Sequence, residues 1–187
     1  VAVKSMSEGE LLQIEKARKL DIDESVYYEI IKQKTASLIA SCCAVGAASV
    51  DRNAEEVEYM RLFGETLGMA FQIKDDLFDY QTVNKTGKPS GIDIKEQKMT
   101  LPLIYALSQA SRSDKKRMIG IIKKHHDKPD KVQEVIAFVN QSGGIAYAES
   151  KMNEYRDKAL KMLEDLPENP SKQSLVQLVD YVINRNV

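Results

Sequence analysis

The 187-residue sequence is poor in helix breakers: nine glycines and five prolines make up about 7% of it, against roughly 12% in average usage. That scarcity argues against turn-rich sandwiches and barrels. The only cysteines, Cys42 and Cys43, are adjacent and cannot meet disulfide geometry, so no disulfide framework is expected and a reducing compartment, the cytoplasm, fits. No apolar run reaches the ~20 residues of a membrane-spanning helix; the longest weakly polar stretch, 38–50, includes Ser41 and Ser49. Net charge is also missing. The 27 Lys and Arg nearly cancel the 28 Asp and Glu, leaving −1 and no overall field for nucleic acid or an acidic membrane. Any anion must therefore meet a local cluster. What is present is a 43% hydrophobic content, enough for the core of one ordinary domain.

Periodicity points to an all-α chain of about eight helices. No stretch alternates apolar and polar residues over strand length, and no repeat or composition shift marks a second domain. Ser7-Glu8-Gly9-Glu10 has the form of a capping box before Leu11, Leu12, Ile14 and Leu20. Asp23 can cap a helix carrying Val26, Tyr27, Ile30, Ile31, Leu38 and Ile39. Asn53 with Glu56 repeats the capping-box form ahead of a long pattern through Tyr80. The segment 81–94 holds Gly87, Pro89 and Gly91 and reads as the one substantial loop. Further helices are predicted over 102–110, 114–124, 131–140, 144–166 and 171–184. His125 and His126 read as solvated loop residues and the cysteines as packing, while Tyr27 and Tyr28 fit either packing or a tunnel lining.

The informative stretch is 64–80. At ~100° per residue, Asp75, Asp76 and Asp79 fall within an arc of about 100°, with Gln72 inside it one turn earlier. Gly64 and Gly68 share that bearing, which predicts open space beside the carboxylates. Leu62, Leu67, Ala70, Phe71, Ile73, Leu77 and Phe78 make the rest of the circumference apolar, so the helix should be buried with its acidic face lining a cavity. Two carboxylates ~6 Å apart repel by about 2 to 3 kcal/mol at an effective dielectric of ~20. Burial then calls for raised pKa values or a bound cation, and an all-oxygen donor set suits magnesium bridged to phosphate. Three lysines are possible phosphate partners. Lys34, beside Thr35, lies mid-helix and taken alone reads as a surface lysine. Lys88 sits in the breaker-rich Gly87-Lys88-Pro89-Ser90-Gly91, which lacks the P-loop pattern. Lys98 precedes the helix start at Thr100 and Pro102, where backbone N–H groups favour an anion.

Phe71-Gln72-x-x-Asp75-Asp76-x-x-Asp79, with Lys34-Thr35 upstream and Gly87-Lys88-x-x-Gly91-x-Asp93-x-x-Glu96-x-Lys98-x-Thr100-Leu101-Pro102 downstream, closely resembles the second aspartate-rich region of the trans-polyprenyl diphosphate synthases. Glu8-Gly9-Glu10-x-x-Gln13 also looks like that family, particularly medium- and long-chain members such as octaprenyl diphosphate synthases. The resemblance is specific over 8–102 and loose after Ala110. It implies the isoprenoid (terpenoid) synthase helical bundle. It also implies a magnesium-dependent reaction in which an allylic diphosphate ionises, isopentenyl diphosphate adds head to tail, and a proton is lost. Carried over residue by residue, Asp75 would be the most direct ligand of the third of three magnesium ions, with Asp76 and Asp79 acting partly through its waters. Lys34, Lys88 and Lys98 would hold the allylic diphosphate. Thr35 and Gln72 would stabilise developing positive charge, and Phe71 would wall the pocket.

One element of the family pattern has no counterpart here, because Asp75-Asp76 is the only Asp-Asp pair and the family carries two such motifs. The expectation is that residues 1–187 are the C-terminal portion of a single isoprenoid synthase domain. The 187-residue chain alone is then expected to be inactive and to form a homodimer or swapped oligomer through uncovered apolar surface. A non-catalytic partner subunit would be expected to lose metal-binding aspartates, which this chain keeps. A terpene-cyclase-like enzyme would carry an Asn/Asp-Ser/Thr-Glu triad, which is missing around Asp75. A plain helical interaction domain leaves the ordered Lys-Thr, Phe-Gln, Asp and Gly-Lys series without a reason.

Overall fold

Side-chain caps set four of the helix starts among the described residues. Asp23 accepts from the Val26 N–H at 2.9 Å. Asn53 Oδ1 accepts from the Glu56 N–H at 2.9 Å while Glu56 Oε2 accepts from the Asn53 N–H at 3.3 Å, the reciprocal box expected from the sequence. Ser111 and Asn169 cap two later helices through the N–H groups of Asp114 and Lys172, so these helices start at Arg112 and Pro170, two residues and one residue before the starts expected from periodicity. The computed structural model describes residues 2–20, 22–80 and 90–185, and every regular element among them is helical. In order these are α1 (Ala2–Lys19), α2 (Glu24–Ile31), a π-helical turn (Lys32–Ala36), α3 (Ser37–Ala48), α4 (Ala54–Phe78), α5 (Ile92–Lys95), α6 (Leu101–Gln109), α7 (Arg112–Lys124), α8 (Pro129–Gln141), α9 (Gly144–Glu164) and α10 (Pro170–Asn184). α2, the π turn and α3 run without a break and α5 is a single turn, so the described chain makes eight longer helical segments, as its periodicity predicts.

α4 is the spine. It packs along α3 on one side and α9 on the other, with the π turn and α10 closing further contacts. Phe63 and Ile73 of α4 are fully buried together with Leu103 of α6, Met118 of α7, Val135 of α8, Leu163 of α9 and Val179 of α10. One continuous core therefore joins the elements that carry the site to the C-terminal helices. Leu62 is an exception to the apolar arc and is exposed.

Two sequence expectations are corrected by how the helices cross. Ser7-Glu8-Gly9-Glu10 does not start a helix: α1 begins at Ala2 and runs through it, with Ser7 Oγ donating to the Val3 carbonyl at 3.0 Å. Gly9 is instead the point where α1 meets the π turn, since a Cβ there would lie 2.7 Å from the Lys34 nitrogen. Gly64 and Gly68 leave no open space beside the carboxylates. A Cβ on Gly64 would lie 2.7 Å from the Ile39 carbonyl oxygen, and one on Gly68 would lie 2.6 Å from Ala36 Cα. Two to three turns before the aspartates, that bearing of α4 faces α3 and the π turn rather than a cavity.

This close approach is testable by paired substitutions. Gly68→Ala should destabilise the chain by about 1 to 3 kcal/mol in urea unfolding, because the nearest obstructing atoms are the Cα and Cβ of Ala36, which cannot swing away. Gly46→Ala, on α3 with nothing within 4 Å of the added methyl, should raise stability by roughly 0.5 to 1 kcal/mol. Changes of the same sign at both positions would refute this account of the α3–α4 crossing.

Candidate functional site

The site is built around a buried carboxylate. Asp76 lies on the inner face of α4, and both of its oxygens are occupied: Tyr27 of α2 donates its hydroxyl to Oδ2 at 2.8 Å, and Gln72, one turn back on α4, donates Nε2 to Oδ1 at 2.9 Å. Gln72 is oriented in turn by Thr35, whose hydroxyl donates to Gln72 Oε1 at 2.6 Å. Thr35 and Lys34 sit in the π turn, a wider coil that shifts the register of side chains along one helix and recurs at functional sites. Burial pushes the Asp76 pKa up to about 7, with the nearby Asp93 adding to the rise and the two hydrogen bonds opposing it.

The other two aspartates point elsewhere. Asp75 is half exposed, and its Oδ1 is held at 2.9 Å by Arg185, the residue that closes α10. Phe71 lies under that arginine, with the guanidinium carbon 3.9 Å from its ring centre, so its ring supports Arg185 rather than walling the cavity. Most of the loop expected over 81–94 lies outside the described residues, and Asp79 fastens the chain where the described residues resume at 90. Its Oδ1 and Oδ2 accept from the N–H groups of Ile92 at 2.7 Å and Asp93 at 3.2 Å, and its carbonyl accepts from Gly91 at 2.9 Å. Gly91 has φ of 80°, and a Cβ there would lie 2.3 Å from Val132, so only glycine makes this turn without strain. Burial raises Asp79 to about 6, with Asp93 adding to the shift.

That fastening brings Asp93 and Lys98 to the cavity opposite Asp76. Lys98 Nζ lies 3.4 Å from Asp93 and 2.5 Å from Glu96. Burial raises the Asp93 pKa while Lys98 pulls it down. Lys34, across the cavity, extends its ammonium to Glu10 at 2.8 Å and Gln13 at 2.7 Å, the two polar residues that the α1–π turn crossing delivers. Lys88 lies outside the described residues.

The resulting cavity, of about 200 Å³, is lined by Asp75, Asp76, Asp93, Lys34, Lys98, Gln13 and Gln72, with an apolar side made by Ile22, Ile30, Ile31 and Met99. Among the described residues no three acidic, histidine or cysteine side chains converge as a ready-made metal cage. The donor chemistry nevertheless fits magnesium, which keeps several waters and binds through one or two carboxylates plus phosphate oxygens. Asp75, Asp76 and Asp93 line this one cavity, and burial penalises the charged forms of Asp76 and Asp93, a penalty that a hydrated divalent cation would relieve.

The structure thus joins Thr35, Gln72 and Asp76 in one hydrogen-bonded chain and brings Lys34, Lys98 and Asp75 to the same cavity, while Asp79 and Phe71 serve neighbouring contacts. Sequence reasoning missed Tyr27 as the hydroxyl donor to Asp76, Asp93 as the facing carboxylate, and Arg185. A buried tyrosine three residues before an isoleucine pair carries a local signal; Arg185, 110 residues from Asp75, carries none.

Comparisons with known proteins agree with this geometry. The family model described as polyprenyl synthetase matches residues 1–139. The short chain isoprenyl diphosphate synthase of Methanothermobacter thermautotrophicus is 35% identical over 179 residues, covering 95% of this chain and 54% of that protein. Octaprenyl diphosphate synthase of Escherichia coli is 30% identical over 186 residues, 99% of this chain and 57% of that one. A polyprenyl synthase from Caulobacter crescentus CB15, solved in complex with calcium and isoprenyl diphosphate, superposes with a TM-score of 0.92 at 31% identity, over 100% of this chain and 57% of that chain. The chain therefore spans little more than half the length of these relatives.

The buried carboxylate gives the metal-free chain a pH dependence of definite sign. The folded chain holds the Asp76 proton more tightly than the unfolded chain, whose carboxyl titrates near ~4. The stabilisation is complete below that value and is lost as pH rises through about 7. Asp79 acts in the same direction, while Asp75, Asp93, Lys34 and Lys98 are the charged groups that share the cavity. In EDTA, the urea midpoint should fall between pH 5 and pH 8, and Asp76→Asn should flatten that fall. An equally steep fall in the variant would contradict the assignment.

Proposed function

This chain belongs to the polyprenyl synthetase family, and from that premise we propose that it forms the C-terminal portion of a polyprenyl diphosphate synthase domain. The proposed reaction is the head-to-tail condensation of isopentenyl diphosphate with an allylic diphosphate. One observation carries the proposal: carboxylates Asp75, Asp76 and Asp93 and ammonium groups Lys34 and Lys98 meet in a single cavity that also has an apolar side, made by Ile22, Ile30, Ile31 and Met99. A diphosphate head needs the charged side, and the start of a prenyl chain needs the apolar one.

Magnesium bound at this wall would supply Lewis acidity to the departing diphosphate. Asp75, the most exposed carboxylate, is its proposed direct ligand. Asp76, fixed by Tyr27 and Gln72, would act on the ion through its waters. Lys34 and Lys98 turn from Glu10 and from Asp93 and Glu96 to the diphosphate oxygens, where their charge opposes the negative charge that builds on the leaving group. Thr35 and Gln72 present oxygen lone pairs toward the allylic carbon as it becomes positive. Ile30, Ile31 and Met99 exclude water that would trap the cation.

The single acidic motif and the two described cavity lysines serve one diphosphate, so the 187-residue chain alone is proposed to bind without turning over. Val3, Leu11 and Ile14 on α1, with Leu38 and Val45 on α3, leave apolar surface exposed, and a second copy is the proposed cover. Among the described residues no helix is long and apolar enough to cross a membrane, and the cytoplasm is the proposed location.

Calorimetric titration of the chain with magnesium and inorganic pyrophosphate should show binding that Asp75→Ala abolishes. Equal binding by the variant would leave Asp75 without its proposed role. Condensation of radiolabelled isopentenyl diphosphate by the chain alone should stay at background, and turnover would overturn the proposed division of the site. Light scattering should give a mass above one copy at high concentration; a monomer throughout would exclude the self-covered face.

A further inference from the structure

Arg185 closes α10 at the far end of the chain, yet its side chain reaches the acidic face of α4. Nη2 donates to Asp75 Oδ1 at 2.9 Å and to the Phe71 carbonyl at 3.3 Å, and the guanidinium stacks at 3.9 Å on the Phe71 ring and 5.5 Å from the Phe78 ring. The arginine side chain is 12% exposed, against 51% for Asp75. Its Nε is buried and has no hydrogen-bond acceptor. An orphaned buried N–H is destabilising, while an ion pair to a half-exposed carboxylate in water returns little. The pair is therefore a weak source of stability. It is a strong geometric constraint, because two aromatic faces fix the plane of the guanidinium and the guanidinium fixes one carboxylate oxygen. Asp75 Oδ2 keeps no protein partner among the described residues.

We propose that Arg185 is a positioning residue for Asp75: stacked on Phe71 and Phe78, it holds Oδ1 so that Oδ2 is presented at the cavity mouth as the ligand for a divalent cation. The inference rests on the proposed magnesium role of Asp75. It adds that this ligand is set by the last helix of the chain, outside the segment 8–102 that carries the recognisable motifs.

The test is a magnesium titration of the 187-residue chain at fixed inorganic pyrophosphate, read by calorimetry and by the magnesium-dependent rise in unfolding temperature. Arg185→Met, which keeps apolar cover over Phe71, should raise the magnesium midpoint about tenfold or more, the usual loss when the partner that orients a metal ligand is removed. Arg185→Lys, which keeps the charge without the planar fork, should recover part of that loss and reports the effect even if the methionine variant folds poorly. An unfolding temperature lowered by Arg185→Met with an unchanged magnesium midpoint would show a structural role only, overturning the inference while leaving the magnesium role of Asp75 intact. A wild-type chain that ignores magnesium and pyrophosphate would overturn both.

Discussion

A carboxylate taken out of water must be met by donors or must stay protonated, and Asp76 imposes that condition on the middle of this molecule. Its donors come from two other places, the Tyr27 hydroxyl on α2 and the Gln72 amide one turn back on α4, and the second depends on Thr35 in the π turn. Three helical elements are thereby locked in register by one acidic side chain. Losing either donor would leave a buried oxygen without a partner, at a cost of about 1 to 3 kcal/mol, comparable to a large share of a domain's net stability. The network is a constraint on the fold before it is a feature of the chemistry.

The helix crossings make the network possible. Gly64 and Gly68 let α4 approach the backbone of α3 and the π turn, and Gly9 lets α1 approach the same turn from the other side. With side chains at these points the π turn would stand off from both neighbours, and neither Thr35 to Gln72 nor Lys34 to Gln13 would close at 2.6 and 2.7 Å. Gly91 does the equivalent for the far wall. Its positive φ lets Asp79 grip the N–H groups of Ile92 and Asp93, which sets where Asp93 and Lys98 stand. Glycines remote from the cavity thus set the positions of its charges.

What the sequence discloses follows from the range of each interaction. The eight helical segments, the Asn53 and Asp23 caps and the acidic face of α4 all depend on residues within a turn or two of one another, and each is readable from spacing. The functions of Gly9, Gly64 and Gly68 depend on a second helix crossing at that level, so a helical wheel assigns their bearing but not their neighbour. Asp79 shows the same limit: a helical wheel puts it on the acidic arc, but the backbone N–H groups it satisfies lie 13 and 14 residues on. The resemblance puts Phe71 at the pocket wall, whereas its stacking partner, Arg185, lies 114 residues away and leaves no local signal. The ordered motifs compensate for part of this, since they record in sequence an arrangement whose physical cause is tertiary.

Charge at the cavity is balanced internally in the metal-free chain. Lys34 is paired with Glu10, Lys98 with Asp93 and Glu96, and Arg185 with Asp75, so the described cations beside the acidic face already have acidic partners. Binding an anion here is therefore an exchange of partners. At an effective dielectric of ~20, two unit charges 4 Å apart interact by about 4 kcal/mol, and swapping a glutamate oxygen for a singly charged phosphate oxygen at equal distance gains nothing. A net gain requires a ligand that brings more negative charge to the lysines than the carboxylates do, together with a cation for the carboxylates they release. A diphosphate with magnesium meets both requirements at once, whereas either alone leaves one sign of charge unpaired. The proposed preference for a metal-bound polyanion then follows from this internal pairing.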